Sequence, residues 1–141
     1  NDLNKMSFHQ YHTIDGEWER KDTLRFDVPP TDSMQTVQLF AEVRNARNYA
    51  FADLYLVVRQ NLADSLKWQT DTIHIQLADS LGRWTGLGGA NYFQSSQYVR
   101  SIRLPLHPFH ATIFVSQGLK DEKLKGITNV GVRIERVQYS Q

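Results

Sequence analysis

Apolar and polar residues alternate along at least five segments of this chain, and this period of two limits its fold more than any other feature. In the first segment, Val37, Leu39, Ala41 and Val43 alternate with more polar neighbours. Successive side chains of a β-strand point to opposite faces, so alternation indicates a strand with one buried face. The clearest alternating segments are 37–44, 54–59, 72–77, 101–104 and 112–116.

Residues 130–135 continue the pattern after a turn, and 8–14 and 23–28 follow it more weakly, which gives about eight strands. Turn residues and prolines separate these runs, as expected for a sandwich or barrel. Parallel strands would need crossover helices, and the sequence shows little helical pattern. We therefore predict an all-β fold, an antiparallel β-sandwich of two sheets that resembles a jelly roll, with Val37, Leu56, Ile75, Val132 and Ile134 among its core residues.

The chain has 141 residues, which suits one domain. We predict a polar tether over residues 1–7 and a single sandwich domain over residues 8–141. The sequence contains no cysteine, so it holds no disulfide, no thiolate metal site and no cysteine nucleophile.

Charge argues against a nucleic-acid partner. Sixteen basic and fifteen acidic residues give a net charge of +1, and the basic residues form no stripe of the kind that nucleic-acid binders carry. The densest charged run, Lys120–Lys125, contains both signs and is interpreted as a solvated loop. No apolar run approaches the roughly 20 residues of a membrane-spanning helix.

Catalytic motifs are not recognisable, so we predict a protein that is not an enzyme and uses no cofactor or metal. No serine lies in a Gly-x-Ser-x-Gly elbow, and Gly86–Gly89 lacks the Gly-Lys-Ser/Thr of a phosphate loop. The histidines have no carboxylate or third histidine at a helpful spacing. A hydrolase whose paired carboxylates come from distant segments stays open, because one sequence does not show such a pair.

Several aromatic residues lie in segments without strand alternation, around Tyr49, Phe51, Trp84 and Tyr92. Aromatic side chains in the loops of a sandwich close the ends of its core, bind other proteins or stack against sugars. The three roles stay open at this point.

Two groups of residues are candidate sites. The first is an interaction patch of Arg44, Arg47, Tyr49 and Phe51, because arginine and aromatic residues are enriched at protein interfaces. The alternative is that Tyr49 and Phe51 only seal the end of the core. The second is a structural turn, in which the glycines supply positive φ or close backbone approach and the tryptophan folds over the end of the sandwich. Its residues are Gly82, Trp84, Gly86 and Gly88.

Taken together and in order, several short segments resemble the gliding motility-associated lipoproteins, the GldH family, of Bacteroidetes-type bacteria. The similarity extends roughly from Tyr11 to Val137. The segments that carry it include Val43–Asn45 with Asn48–Phe51, Asp71–Ile73 with Leu77–Asp79, Gly82–Trp84, and Gly126–Ile127 with Val130–Glu135.

The resemblance implies a non-enzymatic protein of the cell envelope, with its domain in the periplasm or at the outer membrane. It implies a role in gliding motility linked to type IX secretion, through binding to other envelope or motility proteins. It also implies a membrane anchor, an N-terminal lipid carried by a cysteine that this sequence does not contain. No catalytic residue or cofactor follows from it. The alternative function is that of a carbohydrate-binding β-sandwich module of the envelope.

Overall fold

A computed structural model describes residues 6–30, 35–119 and 123–137, and these residues form β-strands joined by turns and loops, with no helix. The strands are β1 (Met6–Thr13), β2 (Glu17–Glu19), β3 (Leu24–Val28), β4 (Thr36–Asn45), β5 (Asp53–Asp64), β6 (Lys67–Gln76), β7 (Leu87–Gly88), β8 (Phe93–Arg103), β9 (Ala111–Gln117), β10 (Lys123–Lys125) and β11 (Ile127–Arg136).

The strands form two main antiparallel sheets. The first sheet has the order β1-β11-β4-β8-β7 and the second has the order β3-β9-β5-β6, while β2 and β10 pair with each other. Along the chain the long strands pass repeatedly from one sheet to the other, as in a jelly roll. Each of the eight predicted segments overlaps one of the eight strands of five residues or more, although β6 and β8 begin five and eight residues before the predicted starts; the all-β sandwich is confirmed.

The core lies between the two sheets. Alternate residues of the long strands point inward, and the core residues predicted above are all buried. This confirms the orientation that the period-two pattern predicts. Of the predicted tether 1–7, the first five residues lie outside the described residues, and β1 begins at Met6.

The sandwich has two ends, which the strand registers define. At what we call the N-terminal end, β1 and β4 begin and β8 and β11 finish, since Thr36 pairs with Arg103 and Val37 with Arg136. At the opposite end, the distal end, Asn45 of β4 pairs with Phe93 and Ile127. Ten residues of β4 separate the ends, which is roughly 30 Å of extended chain.

The short β2–β10 pair closes the distal end. Trp18 of β2 and Leu124 of β10 are register partners and are both buried. The indole Nε1 of Trp18 donates a hydrogen bond to the carbonyl of Asp22 at 2.9 Å. The interpretation of Lys120–Lys125 as a solvated loop is therefore wrong for residues 123–125, because β10 carries a core residue between two exposed lysines; residues 120–122 lie outside the described part of the chain.

Candidate interaction surface

The predicted patch begins in the loop that follows β4. Tyr49 is buried, and its hydroxyl donates to the carbonyl of Asp53 at 2.8 Å. Phe51 is exposed and lies edge-on to the Tyr49 ring, with the two centroids 5.7 Å apart. Tyr49 thus belongs to the core, and it holds Phe51 at the surface of the distal end.

The two arginines of the patch reach different aromatic rings. The guanidinium of Arg47 lies over Phe93, 4.8 Å from the ring centroid. That of Arg44 lies 4.3 Å from the centroid of Tyr11 and 5.0 Å from that of Tyr92. Arg44 therefore packs on the outward face of the first sheet, between Tyr11 of β1 and Tyr92, the residue before β8.

That outward face carries a row of alternating aromatic and charged residues, which we call the aromatic–arginine band. Arg133 lies over the ring of Phe40 at 4.5 Å, and Phe40 meets the edge of Tyr98 with centroids 5.8 Å apart. The band crosses β1, β11, β4 and the middle of β8. Its members are Tyr11, Phe40, Glu42, Arg44, Tyr92, Tyr98 and Arg133.

Glu42 lies at the centre of the band and is only 2% exposed, although its strand neighbours Ala41 and Val43 occupy the opposite, core-facing side. Its carboxylate accepts a hydrogen bond from Arg133 Nη1 at 2.8 Å and contacts His9 Nε2. A carboxylate removed from water is costly unless it is paired. The centre of the band is therefore covered and ion-paired, while Tyr92 and Tyr98 are exposed.

Tyr11 completes the covering of Glu42. Its ring lies against Gly131 of β11, where an added Cβ would come within 2.7 Å of the ring carbon Cδ1. Burial raises the pKa of Tyr11 to about 12, and the negative charge of Glu42 acts in the same direction. Gly131 thus makes room for a neutral tyrosine beside the buried carboxylate.

The predicted structural turn lies at the distal end beside β7. Gly82 has a φ of +80°, in the region that favours glycine. Asp79 Oδ1 accepts hydrogen bonds from the backbone N–H groups of Leu81 and Arg83, each at 2.9 Å. The bond from the Arg83 backbone is the main cause that holds the pKa of Asp79 below its usual value.

Trp84 follows this turn and faces the sandwich. It forms an isolated bridge with Ala78 and stacks on Phe93, with ring centroids 5.9 Å apart. Phe93 also carries Arg47, so the turn and the predicted patch meet at one ring. The structure brings both candidate sites together at the distal end.

Gly86 is expected to be needed for the contact between this turn and β8. A Cβ at this position would lie 2.7 Å from the carbonyl oxygen of Gln94, so the backbone must shift to admit a side chain. Overpacking of this kind costs about 1–3 kcal/mol. Gly86→Val should therefore lower the melting temperature by roughly 4–10 °C in a chain of this size.

The matched control is Gly89→Val. The nearest atom to a Cβ at Gly89 is 3.6 Å away, an ordinary contact, so this variant should keep the melting temperature. Circular dichroism melts of both variants give the comparison. An unchanged melting temperature for Gly86→Val would show that the glycine is not needed for the turn and would leave a binding role for it.

Within residues 6–30, 35–119 and 123–137, no group of three or more His, Cys, Asp or Glu side chains is arranged to hold a metal ion. None of the elements within the same ranges is a helix with the length and apolar character required to cross a bilayer.

The family comparison and the curated relatives all point to GldH lipoproteins. A family described as GldH lipoprotein matches residues 6–134. Gliding motility lipoprotein GldH of Flavobacterium johnsoniae is 27% identical over 94% of this chain and 86% of its own length. The gliding motility lipoprotein GldH homolog of Christiangramia forsetii is 24% identical over 94% and 85%.

Similarity to solved structures is more distant. A β-fructofuranosidase of Schwanniomyces occidentalis aligns with 94% of this chain and 34% of its own, at 9% identity and a TM-score of 0.47. A similarity at this level gives no information about function.

Proposed function

This chain belongs to the GldH lipoprotein family, and we propose that it binds another protein of the gliding motility machinery through the aromatic–arginine band and the adjoining loop 46–51. Its relatives are named gliding motility lipoproteins, which supports a role in gliding and a membrane-anchored place in the cell envelope. We further propose that the bound protein belongs to the part of that machinery linked to type IX secretion, and that the chain itself is not an enzyme.

The observation that carries the proposal is a buried carboxylate on the solvent side of a sheet. An outward-facing strand residue is normally hydrated, but Glu42 is covered by Tyr11 and paired with Arg133. Such an arrangement fixes the neighbouring guanidinium and aromatic groups in place before a partner arrives. Preorganised arginine and aromatic side chains lose little conformational freedom on binding, and both are common binding hot spots.

The same geometry favours a protein partner over a sugar. A sugar-stacking platform needs an open aromatic face. In the band, Arg44 covers Tyr11 and contacts Tyr92, while Arg133 covers Phe40. What the band presents is hydroxyl groups, ring edges and guanidinium groups, which suit the mixed polar and apolar surface of another protein.

The test is the double variant Tyr92→Ser, Tyr98→Ser. Both side chains are exposed, so the variant is expected to fold with a melting temperature close to that of the unmodified chain. Loss of two aromatic anchors should weaken partner binding at least tenfold, since hot-spot truncations cost about 2 kcal/mol or more. The measurement is crosslinking and co-purification from the native envelope, together with rescue of gliding in a strain that lacks the gene.

Trp68→Ser is the matched control, because Trp68 is an equally exposed aromatic residue on the outer face of the second sheet. It should retain partner capture. If Trp68→Ser abolishes capture and the double variant does not, the partner binds the other sheet. Binding of the unmodified chain to an oligosaccharide, lost in the double variant, would instead support the carbohydrate alternative.

Since Tyr49 is in the core, substitutions in the loop 46–51 that test binding are best confined to Phe51.

A further inference from the structure

We propose that the N-terminal end of the sandwich contacts the phospholipid surface directly, through loop 104–110 and the β5–β6 turn. The proposal rests on the membrane anchoring of the family and does not depend on which protein the band binds. It assigns an orientation: one end of the sandwich on the bilayer, and the loop 46–51 and its neighbours held away from it.

The direction of β1 gives the first argument. β1 starts at the N-terminal end, where Phe8 pairs with Ile134 near the end of β11. In a bacterial lipoprotein the lipid is attached at the N-terminus, so the anchored segment enters the sandwich at this end. The anchor therefore brings the N-terminal end closer to the bilayer than the distal end.

Two loops meet at the same end. The backbone N–H of Leu104, just after β8, donates to the carbonyl of Gln35, just before β4, at 2.9 Å. Pro105 and Phe109 line a small apolar pocket together with Phe8 of β1 and Leu62 near the end of β5. Loop 104–110 and the β5–β6 turn thus lie side by side where β1 begins.

Their outermost residues are apolar. Leu66 at the tip of the β5–β6 turn is 88% exposed, and Leu106 in the other loop is 60% exposed. Lys67 is exposed directly after Leu66, and the exposed Arg103 lies directly before the second loop. Exposed leucine tips with a lysine or arginine beside them are suited to the interface of an anionic bilayer, where the apolar tip enters the headgroup layer and the basic group remains at the surface.

Weak contacts with the lipid headgroups are enough to orient a domain that is already tethered to the membrane. A domain already tethered to the membrane meets its surface at a high effective concentration, so a surface contact that would be negligible in solution is populated. The contact would set the orientation of the domain, and it adds little to the anchoring that the lipid provides.

The absence of cysteine in this sequence makes the test direct. Single cysteines at Leu66 or Leu106 can each carry an NBD fluorophore, with the protein held by an N-terminal hexahistidine tag on vesicles of phosphatidylethanolamine, phosphatidylglycerol and a nickel-chelating lipid. A label that enters the headgroup layer shifts its emission to the blue and gains intensity. We expect this shift at both positions on tethering.

Leu81→Cys and Leu87→Cys provide matched controls, because both leucines are strongly exposed at the distal end. They should show no shift. The proposal is overturned if positions 66 and 106 stay unchanged on tethered protein, or if the distal labels shift as much as they do. Because the band is not altered, partner capture by these labelled proteins tests the proposed function separately.

Discussion

Replacing Trp18 by alanine is expected to lower the free energy of unfolding by about 3–5 kcal/mol, the cost of removing a large aromatic side chain from a core. The indole is 1% exposed, pairs across β2 and β10 with Leu124, and bonds to the carbonyl of Asp22. Alanine would leave a cavity at the distal end and remove the hydrogen bond to Asp22. Domains are typically stable by about 5–15 kcal/mol, so this variant should lose a large part of the stability of the domain.

Urea denaturation followed by far-UV circular dichroism measures the effect without relying on tryptophan emission. The matched control is Trp18→Phe, which retains most of the ring volume and loses the hydrogen bond, and should cost markedly less. A Trp18→Ala variant that unfolds at the same urea concentration as the unmodified chain would show that β2 and β10 do not contribute to the core.

The two sheets could largely be predicted because most of the long strands alternate between apolar and polar residues. Val37 to Val43 and Ile73 to Leu77 alternate over enough positions for one face to be read directly, and the structure buries that face. The sheet order could not be read in the same way, because pairing joins strands far apart in sequence, such as β1 with β11.

The period-two pattern does not predict the short strands. β2 and β10 have three residues each, too few for a period of two to stand out, and Leu124 is surrounded by lysines. The charged run therefore predicted a loop, although its single apolar residue closes the core. A tryptophan such as Trp18 is a natural candidate for a core residue, but nothing in the sequence shows that Leu124 is its strand partner.

Only part of the candidate site could be predicted. The patch around Arg44 followed from arginine and aromatic composition, and the structure extends it to Tyr11 and Tyr92. Glu42 was missed because an alternating strand assigns it to the solvent side. Its burial depends on Tyr11 lying against Gly131, a contact between neighbouring strands that are distant in sequence. A small residue opposite an outward-facing carboxylate is a signal that only the strand register reveals.

Removing the Glu42 carboxylate is expected to destabilise the domain by about 3 kcal/mol in Glu42→Ala, because it leaves Arg133 without its buried partner. Loss of one partner of a buried pair costs about 3–5 kcal/mol, and we expect the lower end for two reasons. Arg133 is itself 18% exposed, and it also pairs with Glu135 at 3.1 Å. The measurement is the same urea denaturation series.

A double variant separates the pair from simple packing. Glu42→Met with Arg133→Met replaces both charges by apolar groups, and such replacements are often neutral or stabilising, so most of the lost stability should return. Asp27→Ala is the control for an exposed pair: the Arg25–Asp27 contact of 2.9 Å lies in solvent and its loss should cost about 0–1 kcal/mol. If Glu42→Ala costs no more than Asp27→Ala, the carboxylate is not held in a low-dielectric site. The band would then lack the preorganised centre on which partner binding is proposed to depend.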